Sequence, residues 1–374
     1  MVKAGILGGG QLGRMLLQAA ANYNVETFIL DNDANCPSAH LCHHFIQGSI
    51  QDYGAVYNFG KLVDVLTIEI ENVNLQALQT LEEEGLLVIP NTSTLRTIKN
   101  KILQKQFYHQ NEIPSSTFVT TNTAEELLQH IHFLPAVHKL AEGGYDGKGV
   151  KIISNENDFA TAFDEPSVLE KMVDIHKEIA ISIAVSISGA LAMYAPVDMV
   201  FDKRLHLLSY QKSPAVLPQE VYLKAEAIAL KLVKAFGSPG LFAIELFTDV
   251  AGNVWVNETA PRVHNSGHHS IEACYSSQFD MVWRILLQYP LGNTAHILPA
   301  AIVNLVGEEG HSGKVLYQGL EDVLKMDNIF VHLYGKKETR PGRKMGHVTI
   351  LSNEKQELEE KVIQIKSLLK VISC

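Results

Sequence analysis

Cysteine is scarce: the 374 residues hold four, Cys36, Cys42, Cys274 and Cys374, with no Cys-x-x-Cys spacing. Thiols so few and so dispersed give no disulfide framework for a chain of this length, and a reducing cytosol is the expected compartment. Long apolar runs are missing too. No stretch approaches the roughly 18 residues of a membrane span, and residues 4–7 enter a strand pattern without a basic-then-hydrophobic leader, so no membrane partner is expected. Basic charge is in deficit: 31 Lys and Arg against 41 Asp and Glu leave a formal charge of -10, and no basic stripe marks a general nucleic-acid binder. Any phosphate site must be local.

What is present is a 46% hydrophobic chain long enough for two or three cores. Short apolar runs at 4–7, 25–30, 63–70 and 86–90 alternate with helical patterns such as 11–22, which predicts a parallel α/β unit. The pattern changes at Asn91 to a charged helix, 94–110, ending before Pro114, with a boundary or linker near 92–100. A strand-loop-strand hairpin is expected around EGGYDGKG (142–149), between PAVHK (135–139) and VKII (150–153). Alternation over 178–187 predicts a half-buried strand. An amphipathic helix follows at 219–236, then two strands, 241–247 and 253–258, joined by a short turn. Leu358, Val362, Ile365 and Leu369 fall at helical spacing near the end.

Gly8, Gly10 and Gly13 satisfy GxGxxG after a strand, and Asp31 closes the next strand, which is the dinucleotide pattern. Physically the motif predicts backbone amides that face something anionic, for which a phosphate is enough; a bare structural turn is the alternative. The second glycine-rich loop carries Asp146 and Lys148 and suits a lid over a polyphosphate, although Lys148-Gly149 breaks the P-loop pattern. Lys139 and Lys101 add positive charge from two other directions; taken singly, each lysine is more often a solvated surface residue.

Glu245 lies inside the apolar run LFAIELF, and Glu258 ends VWVNE beside Asn257. A carboxylate in such a setting is costly unless a cation or donors compensate it, so paired strands would converge three oxygen donors suited to Mg²⁺ on a nucleotide. A lone glutamate facing solvent is the bland reading; the paired occurrence tips the balance. Residues 259–270 hold Arg262, His264, Asn265, Ser266, His268 and His269, and Pro261 and Gly267 argue against the regular helix a zinc pair at His264 and His268 requires. An anion-binding loop is expected there. Lys336, Lys337, Arg340, Arg343 and Lys344 form a basic cluster suited to a phosphate monoester, with a nucleic-acid patch as the alternative.

GGGQLGRM (8–15), IENVN (70–74), EGGYDGKG (142–149), VNETAPRVHNSGHH (256–269) and RPGRKMGHVT (340–349) resemble, in order and across nearly the whole chain, the signature segments of the N5-carboxyaminoimidazole ribonucleotide synthase family of the ATP-grasp superfamily. The resemblance implies an α/β ATP-grasp fold with an α+β lid. Its parts would be a Rossmann-like domain binding the ribonucleotide (1–95), a linker helix and lid subdomain (96–185), an ATP-grasp subdomain with the Mg-ATP site (186–300) and a substrate-phosphate segment packed on the same unit (301–374). It implies carboxylation of 5-aminoimidazole ribonucleotide with bicarbonate through carboxyphosphate, ATP and Mg²⁺ as cofactors, and a cytoplasmic homodimer.

By position the resemblance puts Lys101, Lys139, Tyr145, Asp146, Gly147, Lys148 and Gly149 on ATP phosphates, and Glu170, Lys171, Val173 and Glu178 on adenine and ribose. Glu245 and Glu258 would hold Mg²⁺ with Asn257 alongside, and these three with Arg262 and Lys139 would serve the chemistry. Gly10, Gln11, Leu12, Arg14, Glu71, Arg262, His264, Asn265, Ser266, His268, Lys336, Arg340 and Arg343 would bind the ribonucleotide. Leu140, Ala141 and Glu142 stand where many relatives carry arginines, so lid electrostatics differ, and 196–202 lacks a histidine that some relatives place near the nucleotide. Another ATP-grasp ligase, such as a formate-dependent glycinamide ribonucleotide transformylase or a biotin carboxylase, is the nearest alternative. A dinucleotide-binding oxidoreductase and a non-catalytic nucleotide-binding regulator are the others.

Overall fold

The computed structural model describes residues 1–144, 149–202 and 207–374. Five parallel strands open the chain: Val2–Leu7, Val25–Asp31, His44–Gln47, Val65–Ile68 and Leu87–Ile89, ordered third, second, first, fourth, fifth across the sheet. Helices cover both faces, so the strands read as unbroken apolar runs rather than alternating ones. The strand order reverses at Val2–Leu7, which pairs with both Val25–Asp31 and Val65–Ile68. Ligands bind at such reversal points, beyond the carboxyl ends of the strands. Here that position holds the first glycine loop and the residues after Ile68.

A four-stranded antiparallel sheet follows, ordered Phe118–Thr121, Ser167–Lys171, Ala136–Leu140, Val150–Ile153. The expected hairpin is there, with Ala136 opposite Ile153 and Lys139 opposite Val150. The third unit is a nine-stranded sheet in which Gly240–Thr248 lies between Val254–Ala260 and Lys177–Val185. Its far side is built from Ala300–Val306, Lys344–Leu351 and Ile329–Leu333, so the C-terminal segment extends the sheet that carries the two glutamates.

Two buried clusters fix the pieces relative to one another. Helix Gln219–Phe236 places Ala225, Ala229, Leu232 and Val233 against Ile179, Ile181, Ile183, Ile244 and Leu246, the inward face of the period-two strands. Helix Gln278–Leu286 packs on helix Gln11–Ala20, where Trp283 Nε1 donates to the Leu16 carbonyl at 2.6 Å. That contact locks the first glycine loop in place against the large sheet.

The charged helix expected over 94–110 is two helices, Thr92–Lys99 and Lys101–Gln110. Asn100 breaks it: its backbone is extended, and its side chain accepts from the Ile102 and Leu103 amides as the cap of the second helix. The break aims the new N-terminal turn, with Lys101, into the cleft. The C-terminal helix, Lys355–Leu368, lies as expected and is followed by a short strand, Lys370–Ser373.

Candidate active site

The two carboxylates meet because of an irregularity. Glu245 lies directly opposite Glu258, and the ladder shifts between Glu245 and Leu246, leaving Asn257 as the extra residue of a β-bulge. Val256 and Leu246 point into the core. Without the bulge Asn257 and Glu258 would face opposite sides of the sheet; with it, both face the cleft beside Glu245.

Two lysines answer this negative charge. Lys101 Nζ lies 2.9 Å from Glu258 Oε2, and Lys139 Nζ donates to Asn257 Oδ1 at 3.0 Å. The ammonium of Lys101 holds the Glu258 carboxyl down to about 2. Burial, with the Glu258 and Glu178 charges nearby, pushes Glu245 up to about 8. Such a split is expected when two carboxylates share one place and only one is compensated. Lys344 is among the charges favouring ionised Glu245, so the basic cluster near the C-terminus reaches the acidic pair through Lys344.

This split predicts a pH dependence. Glu245 ionises near 4.5 in the unfolded chain and near 8 in the folded one, so between these values the folded state holds the extra proton. Stability without divalent cation therefore falls as pH rises from about 5 to 8, and Glu245→Gln flattens the slope. Urea unfolding midpoints across that range measure it; a slope that the substitution leaves unchanged contradicts the assignment.

Three oxygen donors on one face, one of them carrying charge it cannot easily keep, fit a hard divalent cation. Lys101 and Lys139 bring positive charge against the same donors.

Glu170 is engaged on two sides by lysines. Its carboxylate is bound on one side by Lys139 at 3.0 Å and on the other by Lys105 at 2.8 Å, with Ser116 donating to it as well. A side chain so engaged orients Lys139; Lys171 beside it is exposed and Val173 half-buried. Burial costs Glu170 ionisation, yet Lys139 and Lys105 outweigh it and hold the carboxyl down to about 2. Burial pulls Lys105 down to about 8. In sequence Lys105 is one more charge on a charged helix, with nothing in its type to mark it as buried. Its spacing was a signal: Lys101, Lys105 and Tyr108 share one helical face, and Tyr108 is buried.

In the first glycine loop Gly9 N donates to Asp31 Oδ2 at 2.7 Å and Leu12 N to Glu69 Oε1 at 3.1 Å, so two amides expected to face an external anion face carboxylates of the chain itself. A Cβ on Gly10 would lie 2.5 Å from Glu69 Oε1, so any larger residue would displace that carboxylate. Asp31, the residue a dinucleotide ribose would need, is thereby engaged.

Around this loop the other polar residues gather. Arg262 Nη2 donates to Glu71 Oε2 at 3.0 Å, with Nε 2.9 Å from Glu71 Oε1 in an ion pair, joining the loop after Glu258 to the strand end after Ile68. Gln11 Nε2 donates to Asn265 Oδ1 at 3.3 Å and Gln11 Oε1 accepts from Lys336 Nζ at 2.9 Å. Arg14 Nη1 donates to the Pro37 carbonyl, while its buried Nε has no partner. His264 Nε2 lies 3.9 Å from Glu245 Oε1, its Nδ1 beside Ser266 Oγ at 3.0 Å, and His268 is fully buried against Gln278. Arg340 and Arg343 stand instead on a turn at the surface, with Arg343 Nη1 donating to the Glu338 carbonyl at 2.7 Å. Tyr145, Asp146, Gly147 and Lys148 lie outside the described residues; Gly149 closes their loop at φ +80°, a backbone that favours glycine.

Three family models match the chain: a ribonucleotide synthetase preATP-grasp domain over 1–99, an ATP-grasp domain over 106–279 and a phosphoribosylaminoimidazole carboxylase C-terminal domain over 300–361. The N5-carboxyaminoimidazole ribonucleotide synthase of Brucella melitensis is 35% identical over 92% of this chain and 95% of its own length. The phosphoribosylaminoimidazole carboxylase of Vigna aconitifolia, chloroplastic, is 35% identical over 96% of this chain, which spans 65% of that protein; it spans 65% and 66% of the carboxylases of Saccharomyces cerevisiae and Candida albicans. Among solved structures, the N5-carboxyaminoimidazole ribonucleotide synthetase of Thermotoga maritima superposes with a TM-score of 0.93 at 37% identity over the whole of both chains. The enzyme of Aspergillus clavatus in complex with ADP and 5-aminoimidazole ribonucleotide gives 0.89 at 30% identity over 98% of each.

Proposed function

The chain belongs to the N5-carboxyaminoimidazole ribonucleotide synthase family of ATP-grasp ligases, and from that membership we propose that it joins bicarbonate to the exocyclic amine of 5-aminoimidazole ribonucleotide. ATP becomes ADP and phosphate, and the product, N5-carboxyaminoimidazole ribonucleotide, serves purine biosynthesis. The observation that carries the proposal is the meeting of two unlike sites in one cleft: the Glu245–Glu258 pair with its lysines, and the polar set Gln11, Glu71, Arg262, Asn265 and Lys336.

Phosphoryl transfer needs placement and charge compensation more than covalent help. Lys101 and Lys139 leave their present oxygen partners for the phosphates, and Glu170 with Lys105 keeps Lys139 aimed at the transferred group. Glu245 and Glu258 would hold Mg²⁺, which when bound neutralises phosphate oxygens. An oxygen of bicarbonate attacks the γ-phosphorus as the bond to ADP breaks, giving carboxyphosphate. The amine nitrogen then attacks the carboxyl carbon, the carbon–oxygen bond to phosphate breaks with its electron pair leaving on phosphate, and the nitrogen releases one proton to the departing phosphate. Arg262, held by Glu71, lies between the two centres, near Glu258 and Glu69. Carboxyphosphate is short-lived in water, so water has to be kept from the cleft before it forms.

Lys336 and Arg14 are the proposed cationic contacts to the ribonucleotide on the loop side, with Arg340 and Arg343 reaching its phosphate from the surface turn. Lys336→Met should raise KM for the ribonucleotide roughly tenfold or more, as loss of a charge-assisted bond requires, while KM for ATP changes little. Equal changes in both would remove Lys336 from the ribonucleotide site. The reaction itself is tested by phosphate release with ATP, bicarbonate and 5-aminoimidazole ribonucleotide, each omitted in turn. Full release only with all three is expected; release indifferent to bicarbonate would point to another ATP-grasp ligase. No helix among the described residues is long and apolar enough to cross a membrane. A cytoplasmic location and a homodimer complete the proposal, the latter checked by light scattering.

A further inference from the structure

On the far side of the 262–268 loop lies a cluster of side chains that the reaction does not use. His269, Cys274 and His296 each bring one ligand atom to within 4.8 Å of the others, the one such His/Cys/carboxylate group among the described residues. His269 precedes the short helix Ser270–Ala273, Cys274 follows it, and a backbone bridge fixes Cys274 beside His296. The two imidazoles are stacked, with centroids 5.7 Å apart.

The protonation of His269 follows from its partner. Nδ1 lies 3.1 Å from the Ser266 carbonyl, which can only accept, so the ring proton sits on Nδ1 and Nε2 carries a lone pair. His269 is 2% exposed, and that Nε2 has no hydrogen-bond partner. A buried acceptor left without a donor is a cost that folded proteins rarely leave unexplained. A ligating histidine commonly has this arrangement, one nitrogen bound to a carbonyl and the other free for a metal. His296 is held by Ser213, whose Oγ lies 2.8 Å from its Nε2 and can accept a hydrogen bond from that nitrogen, leaving Nδ1 with a lone pair for an ion. Cys274 is 3% exposed and supplies sulfur, while half-buried His296 leaves a route in from solvent.

We propose that His269, Cys274 and His296 form a binding site for one soft, thiophilic metal ion, with Cu⁺ favoured over Zn²⁺. A thiolate is a soft donor and imidazole a borderline one that suits copper and zinc, unlike the hard oxygen set of the reaction cleft. Binding replaces the Cys274 S–H bond by a sulfur–metal bond and releases one proton. With a thiolate and two neutral imidazoles, Cu⁺ gives a site of zero net charge, which burial favours, whereas Zn²⁺ leaves one positive charge and calls for a fourth ligand. The ion would tie His269, and through it the Ser266 carbonyl, to the strand edge at His296, bracing the loop that carries His264 and Asn265.

The test uses the full chain carrying Cys42→Ser and Cys374→Ser, which removes the two more accessible thiols. Cu⁺, kept reduced and anaerobic, is competed against a chromophoric chelator, and Zn²⁺ is titrated separately against its own indicator. One equivalent of Cu⁺ retained per chain is expected, with affinity weakened at least roughly 10- to 100-fold by His296→Gln and by Cys274→Ala. His296→Gln alone decides the matter if the buried Cys274→Ala variant fails to fold. Retention of Zn²⁺ but not Cu⁺, with the same sensitivity, would overturn the preference for Cu⁺. No retained ion, or binding indifferent to His296→Gln, would overturn the site.

Discussion

Glu258→Gln is expected to reduce ATP-dependent phosphate release by roughly 10²- to 10³-fold or more, the scale on which a single preorganised electrostatic group acts, with the fold intact. Glu258 is the carboxyl of the pair that stays ionised, because Lys101 compensates it. The amide keeps the shape and removes the charge, so Lys101 loses its partner and the cation site loses its permanent anion. Glu245 responds in a predictable direction: with the neighbouring charge gone, its carboxyl ionises more easily and falls from about 8 towards its ordinary value. The variant should therefore combine lost turnover with a weaker dependence of stability on pH between about 5 and 8. Near-normal phosphate release at saturating Mg²⁺ would refute the cation assignment. Loss of turnover with an unchanged pH slope would show that the two carboxyls do not interact.

The second large effect is one of stability. Lys105→Met is expected to destabilise the chain by roughly 3–5 kcal/mol, the cost of leaving a buried charge with half its compensation. Lys105 is 2% exposed and shares Glu170 with Lys139. Without Lys105, Glu170 draws Lys139 more closely, so ATP binding should weaken as well. Lys105→Met combined with Glu170→Gln removes both charges and should recover much of the stability, since a missing pair costs less than a broken one. Recovery of folding without recovery of ATP affinity is the expected pattern, read from urea unfolding and nucleotide titration. Additive losses in the double variant would show that Lys105 and Glu170 act separately.

Much of this architecture was legible in the chain itself, for reasons that can be named. The strand at 178–185 alternates because Ile179, Ile181 and Ile183 meet the helix Gln219–Phe236, but Ala180, Ser182 and Ala184 on its other face are buried too, so the strand expected to be half-buried is covered on both faces. The hairpin at 136–153 was marked by a glycine-rich loop between two apolar runs. That Glu245 and Glu258 lie opposite one another followed from the short turn between their strands. Asn257 joins them through a bulge, which no periodicity announces, and a regular ladder would have turned it or Glu258 into the core. Asn100 was read as part of one helix because propensity is continuous across it, whereas its cap bonds are visible only in three dimensions. Asp31 and Glu69 were hidden in another way: the glycine motif tells that amides face an anion, and says nothing about whether that anion belongs to the chain. Glu170 likewise became a positioning group only once Lys105 was seen to be buried beside it.

The most direct test of the account follows oxygen rather than residues. With bicarbonate labelled throughout with ¹⁸O, and ATP and 5-aminoimidazole ribonucleotide unlabelled, the oxygen that attacks the γ-phosphorus stays with phosphorus when the amine captures the carbon. Each phosphate released should then carry one labelled oxygen, in step with the carboxylated ribonucleotide formed. Phosphate bearing no label, or acquiring it only from labelled water, would contradict phosphoryl transfer to bicarbonate and with it the mechanism built on the acidic pair.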